Sequence, residues 1–241
     1  MGWHITEATE LEDAIIKLKL KLARKIGTRA GMTVIDMGCG QGGFTTCLAK
    51  IVGKKGKVLA VDVSDEYLAE FTDRLNEHGV KNIVTFIQAD AVNLKEVIHD
   101  DAADVVGSYR LLEELKQPNA MANIVKEMAR IVRRGGKVGI VELCTETRNQ
   151  AEETYIRLHR ESGDSLFEPH EIIEAMKGAK LADVHVEKVE TNIWFSPELA
   201  KQDLSHAQVW HDASVEKSLG VLIDRHGMKY PEFLVFSGTK K

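Results

Sequence analysis

The stretch from Val34 to Gly43, V-I-D-M-G-C-G-Q-G-G, decides the fold. A β-branched run breaks into glycines, and F-T-T-C-L-A-K-I-V follows from Phe44 with apolar residues at helical spacing. An apolar run that stops at a glycine turn and restarts with helical period reads as a strand, a loop and a helix N-terminus. The glycines let the main chain approach a bound molecule closely, so this junction is a place for a ligand. Gly38, Gly40 and Gly43 also satisfy G-x-G-x-x-G, a dinucleotide fingerprint that is weak alone. Asp36, two residues before the first glycine, discriminates further. A carboxylate there repels phosphates and attracts a cation, which suits a cofactor carrying positive charge.

Working outward, L-A-V-D-V-S places Asp62 nineteen residues beyond Gly43, at the end of a second strand. An acidic residue in that position accepts hydrogen bonds from ribose hydroxyls. Further strands are expected over Ile83 to Gln88, Ala103 to Gly107 and Lys137 to Leu143, with helices over Phe44 to Val52, Asp65 to Glu77 capped by Ser64, and Asn119 to Arg133. This rhythm implies an α/β fold, a doubly wound, mostly parallel seven-stranded sheet with helices on both faces, an antiparallel last strand and small helical cap elements. Ligands then sit beyond the carboxyl ends of the strands, where Gly38, Asp62, Asp90, Ser108 and Glu142 all fall.

With D-M-G-C-G-Q-G, Asp62 and Q-A-D-A at Asp90 in order, the stretch from about Val34 to Leu143 resembles the class I S-adenosylmethionine-dependent methyltransferases. The resemblance implies S-adenosylmethionine as cofactor and a site made of Asp36, Gly38, Cys39, Gly40, Asp62, Val63, Asp90, Ala91, Ser108 and Tyr109. In it Asp36 and the loop from Gly38 to Gly40 face the methionine part, Asp62 the ribose and Val63 the adenine. Asp90, with Ala91 beside it, takes the adenine amino group, while Ser108 and Tyr109 act through their backbones. A histidine common in the family near position 113 is Glu113 here, which leaves the acceptor open. Asp90 also fits a turn-capping acid.

The chain reads as one domain: an N-terminal helix and cap over 1–30, a cofactor-binding core over 31–145, and a substrate side over 146–241 with an enlarged connection over 196–230. Leu11, Ile15, Leu18, Leu22 and Ile26 form the apolar stripe of the first helix, and Lys17, Lys19, Lys21, Arg24 and Lys25 read as its basic face. Trp3 and His4 precede it. Trp194, His206, Trp210 and His211 in or beside the connection suit a substrate pocket, core, or a contact between two copies in a homodimer.

A net charge of -5, with 32 basic and 37 acidic residues, gives no global attraction to polyanions, so nucleic acid is disfavoured as acceptor. The N-P-P-Y type of tetrapeptide is absent, which argues against a base-flipping methylase. Three cysteines without C-x-x-C spacing, no H-E-x-x-H and no long apolar run lead to the expectation of a soluble, cytoplasmic chain without bound metal. Methyl transfer to an O, N, C or S nucleophile of a small molecule is the expected reaction, with RNA or protein acceptors as alternatives. A nicotinamide-dependent oxidoreductase and a non-catalytic cofactor-binding module are readings from other classes. Catalytic residues are left open.

Overall fold

The computed structural model describes residues 4–5, 7–117, 119–204 and 208–241. The chain forms two compact units, and neither is a continuous run of sequence.

The larger unit, residues 19–142, 167–187 and 234–241, holds the main sheet. Its strands are β1 (Thr33–Met37), β2 (Lys57–Asp62), β3 (Val84–Gln88), β4 (Ala103–Tyr109), β5 (Val132–Leu143), β6 (Leu181–Val189) and β7 (Phe233–Lys240). Their order in space is 3-2-1-4-5-7-6, six strands parallel and one antiparallel. β1 lies inside the sheet between β2 and β4, and its Val34, Ile35, Asp36 and Met37 are all shut off from solvent. A strand covered on both faces shows no alternation of polar and apolar residues, which is why this one reads as a plain apolar run. Register sets the ends level: Met37 pairs with Val61 on one side and Ser108 on the other, and Tyr109 pairs with Val141.

The helices here are α2 (Gly43–Val52), α3 (Leu68–Glu77), α4 (Ala120–Ile131) and α6 (Pro169–Gly178), together with the last turns of α1 (Ala8–Lys25). Glu168 and Glu171 form a capping box at the start of α6, with Pro169 as its first residue. Ile26, just past α1, sits over a socket in the sheet. Gly107 and Gly139 face each other across β4 and β5, and a Cβ on Gly107 would come within 2.6 Å of Ile26 Cδ1. The glycine pair thereby fixes where the end of α1 lies.

The smaller unit, residues 1–18, 143–166 and 188–233, contains α5 (Gln150–Glu161), α7 (Pro197–Leu204) and α8 (Ala213–His226). A small sheet joins His4–Ile5, Trp194–Phe195 and Met228–Lys229 in the order first, second, third. Asp212 caps α8 by accepting from Ser214 N and Val215 N, and Ser196 Oγ accepts from Leu199 N at the start of α7. Tyr155, Phe195 and Tyr230 pack edge to face, with centroids 4.8 Å and 5.2 Å from Tyr230. Beside them Lys229 Nζ meets Glu152 Oε1 at 2.5 Å, both residues being buried, and lies 5.4 Å from the Trp194 ring centre.

Two local expectations change. The Ser64 hydroxyl accepts from Glu66 N in a turn rather than capping a helix, and α3 begins at Leu68. Val184 to Phe195 alternates enough in sequence to read as one strand, but the strand ends at Val189 and resumes only for Trp194 and Phe195, with Asn192 between them in the left-handed region at φ 53°. A non-glycine residue there turns the chain out of the extended ladder. Trp3 and His206 lie outside the described residues, as do the side chains of His4 and Trp210.

Candidate cofactor and acceptor site

The loop after β1 is held from three sides. Gly38 N and Cys39 N both donate to Val61 O, Gly42 N donates to Cys39 O, and Arg74 Nε reaches from α3 to Gln41 O at 3.2 Å. Gly42, with φ 79°, ends the loop as the N-cap of α2, and a Cβ there would lie 2.6 Å from the Phe71 ring. Gly38, with φ 72°, would collide with Leu111 at 2.5 Å. Both positions thus exclude a side chain by conformation and by space at once.

The loop forms one wall of a cavity of about 680 Å³ in the larger unit, within the size range of small-molecule and cofactor sites. Of the residues expected from sequence, Gly38, Cys39, Gly40, Asp62, Val63, Asp90, Ala91 and Tyr109 line it. Asp62 Oδ2 accepts from Gly40 N at 2.8 Å and Oδ1 from Ser64 N at 3.2 Å. A carboxylate offers about four lone-pair sites, so two remain for a ligand. Val63 and Tyr67 expose 67% and 43% of their surface there, apolar area that a flat ring would cover. Asp90 does two jobs: it is exposed on the cavity wall and its Oδ1 accepts from Val92 N at 3.0 Å, the turn-capping role that its sequence context also allowed.

Asp36 and Ser108 are placed differently from the expectation. Neither lines the cavity, and both are fully buried. Asp36 points behind the loop, where Thr45 Oγ1 from the first turn of α2 donates to its Oδ2 at 2.6 Å and Oδ1 has no hydrogen-bond partner among the described residues. Burial outweighs the Thr45 bond and pushes its carboxyl up to about 7. The simple picture of a carboxylate facing a cation is therefore replaced by a buried acid beneath the loop. Ser108 stands in β4 between Met37 and Ile140, and its hydroxyl too lacks a partner among the described residues.

The Asp36 placement has a measurable sign. A carboxyl at about 7 when folded and near 4 when unfolded binds more protons folded across that interval, so its contribution favours the fold at pH 5 and is lost as pH rises through 7. Asp36→Asn removes the titration. Urea unfolding should show the stability difference between pH 5 and pH 8 shifted by about 3 kcal/mol in favour of the variant at the higher pH. Parallel pH dependence in the two proteins would mean that Asp36 does not titrate there.

Lys19 is the residue that reading the charges in a row concealed. At about 100° per residue it lies roughly 200° around α1 from Lys17. It falls four residues after Ile15 and three before Leu22, within the buried stripe, whereas Lys17, Lys21 and Arg24 face solvent and Lys25 pairs with Glu187. Lys19 enters the cavity wall with its Nζ 5.1 Å from the Tyr109 ring centre and close over Gly43 at the start of α2. Burial, reinforced by the Arg110 and Arg74 charges, lowers it to about 8. No ion pair or hydrogen bond engages its ammonium among the described residues. An anion at the α2 N-terminus would meet both this charge and the helix dipole.

Across the cavity, Arg110 has φ 55° and its guanidinium meets Glu113 Oε1 at 2.5 Å and 2.7 Å through two nitrogens. Glu113 is on the wall with only 3% of its surface exposed, and Glu142 behind it accepts from Leu112 N at 2.9 Å. Burial, with the Glu113 charge adding to it, pushes Glu142 up to about 8. Tyr109 completes this side by stacking on Phe44, with centroids 5.1 Å apart and planes 20° from parallel.

Comparison with known proteins agrees with this geometry. A model of the methyltransferase domain matches residues 28–192. The ubiquinone/menaquinone biosynthesis C-methyltransferase UbiE of Azotobacter vinelandii is 32% identical over 116 residues, 48% of this chain and 44% of the relative. The chain thus spans about half the length of the curated relatives it matches. Among solved structures, a cyclopropane-fatty-acyl-phospholipid synthase-like protein of Lactobacillus casei superposes with a TM-score of 0.75 at 16% identity, covering 99% of this chain and 95% of the other. The [4+2]-cyclase SpnF gives 0.69 at 18% identity, covering 93% and 81%. At those identities the likeness is one of fold. No helix among the described residues is long and apolar enough to cross a membrane. With the sheet order, the loop and the family match in agreement, the chain belongs to the class I S-adenosylmethionine-dependent methyltransferase domains.

Proposed function

We propose that the chain transfers the methyl group of S-adenosylmethionine to a small-molecule acceptor. The observation that carries this reading is the cavity itself, where a glycine loop, an acid with spare lone pairs and two exposed apolar side chains meet at the strand ends. The residues fit the cofactor's parts. Asp62 is suited to the ribose hydroxyls, Val63 and Tyr67 to the adenine faces and Asp90 to its amino group, while Gly40 leaves open space where a Cβ would stand. Lys19 and the start of α2 suit the carboxylate of the methionine part.

The cofactor supplies a methyl carbon bonded to a cationic sulfur, and transfer breaks that bond with its electron pair returning to sulfur. What the protein adds is chiefly placement, since orienting two bound reactants contributes on the order of 7–11 kcal/mol. The UbiE relatives, named for C-methylation in quinone biosynthesis, support a small organic acceptor over a polymer. The chain's net negative charge supports the same choice.

The nicotinamide alternative shares Gly38, Gly40, Gly43 and Asp62 and is separated by binding. Calorimetry should give a micromolar or tighter dissociation constant for S-adenosylhomocysteine and no measurable heat with NADH. The reverse pattern would remove the methyltransferase reading.

A further inference from the structure

We propose that Lys19 ties the site's preference for a ligand with a carboxylate to a proton on its own Nζ, so that the preference is lost on the alkaline side of neutrality. This rests on the methyl-transfer reading above and adds to it a control by pH at the methionine end of the site. Lys19 stands in the cavity wall, with its ammonium over the Tyr109 ring at 5.1 Å and no carboxylate or carbonyl holding it among the described residues. It reaches across to the first turn of α2, where a Cβ on Gly43 would lie 2.7 Å from Nζ, so the missing side chain is what admits it. A cation that leaves water without gaining an acid partner is costly, and an anion brought in by a ligand offsets that cost.

The surroundings decide where the proton is lost. Burial is the largest influence and lowers Lys19 to about 8; Arg110 just past β4 and Arg74 on α3 push the same way, while Cys47 on α2 and Asp36 on β1 oppose them. Burial pushes the Cys47 thiol up, so it holds its proton as Lys19 sheds one. Asp36 gives up its proton earlier, at about 7. Of the acids on the cavity wall, Glu113 is engaged by Arg110, and Asp62 by Gly40 N and Ser64 N. With Asp36 charged and Lys19 neutral, the alkaline site opposes the carboxylate that it takes up at neutral pH. Binding and protonation are reciprocal: a carboxylate on Nζ holds the proton there, and removing the proton loosens the carboxylate by the same factor.

The test compares S-adenosylhomocysteine with 5′-methylthioadenosine, which keeps the nucleoside and the sulfur and lacks the amino acid end. Calorimetry measures both dissociation constants at pH 7 and at pH 9.5, where about one Lys19 in thirty still carries its proton. The wild-type preference for S-adenosylhomocysteine should be at least tenfold greater at pH 7 than at pH 9.5, with the affinity for 5′-methylthioadenosine changing less than threefold. Lys19→Arg keeps its charge over the whole range. The change of preference with pH should therefore be at least fivefold smaller in that variant, and the ligand's own ammonium, which titrates against both proteins, drops out of the comparison. A wild-type preference that does not vary with pH, or that varies equally in Lys19→Arg, overturns the proposal. Should Lys19→Arg fail to fold, Lys19→Met decides: at pH 7 it should show the low preference that wild type reaches at pH 9.5, and the wild-type preference in that folded variant overturns the proposal. If wild type binds neither compound at pH 7, the methyl-transfer reading falls and this proposal with it. Tight binding of S-adenosylhomocysteine with a preference independent of pH leaves that reading standing and overturns the role of Lys19 alone.

Discussion

Lys229→Met should destabilise the smaller unit by about 3–5 kcal/mol, because it leaves a buried carboxylate without its cation. Glu152 is shut off from solvent, and its two oxygens are committed: Oε1 to Lys229 Nζ at 2.5 Å and Oε2 to Arg148 N at 2.7 Å. Burial pushes the carboxyl up, but Lys229 and the Arg148 N–H outweigh it and hold it below the usual carboxylate range. A depressed folded value means that the pair's contribution is present above the unfolded carboxylate value and lost as pH falls through the folded one. Methionine fills much the same volume, so the loss is electrostatic rather than a cavity. Glu152→Gln in the Lys229→Met background should recover most of the stability, since an uncharged amide leaves no ion to desolvate. Chemical denaturation of the two variants at pH 7 checks both statements. Equal stability of Lys229→Met and wild type would mean that the pair is neutral or solvated.

Asp62→Ala should weaken S-adenosylhomocysteine binding by about a hundredfold or more. Two losses combine. The ribose hydroxyls lose a charged acceptor, with such bonds each contributing about 1.5–3 kcal/mol. The loop also loses the acceptor for Gly40 N and Ser64 N, so it is less well fixed before the ligand arrives. Asp62→Asn separates the two, because the amide oxygen still accepts one backbone N–H while the charge is gone. Its affinity should fall between those of alanine and wild type. Calorimetry giving unchanged constants for both variants would take Asp62 out of the ligand's reach.

What could be read from sequence was whatever depends on neighbours along the chain. The glycine spacing after β1, Asp62 at the end of β2 and Asp90 after β3 are local patterns, and all of them line one cavity. What depends on direction in space was hidden. β1 is buried on both faces, so nothing in Val34 to Met37 told whether Asp36 looks toward the loop's outer surface or behind it. Lys19 stands in a run of lysines whose common charge hides the helical wheel that separates it from Lys17 and Lys21. Glu113 and Glu142, 29 residues apart, come together through the pairing of β4 with β5, a register that no local spacing encodes.

The place of β7 in the sheet also bears on how the chain comes to be folded. The strand formed by Phe233–Lys240 is inserted between β5 and β6 rather than added at an edge. While the ribosome is still elongating toward that segment, β6 has no neighbour to lie against, and the outer side of β5 offers unpaired amides and carbonyls to whatever strand is near. Closure of the sheet must therefore wait for a strand made after both of its neighbours, a long-range event that is slow and prone to mispairing. Nascent chains stopped before Phe233 are where chaperone demand should concentrate.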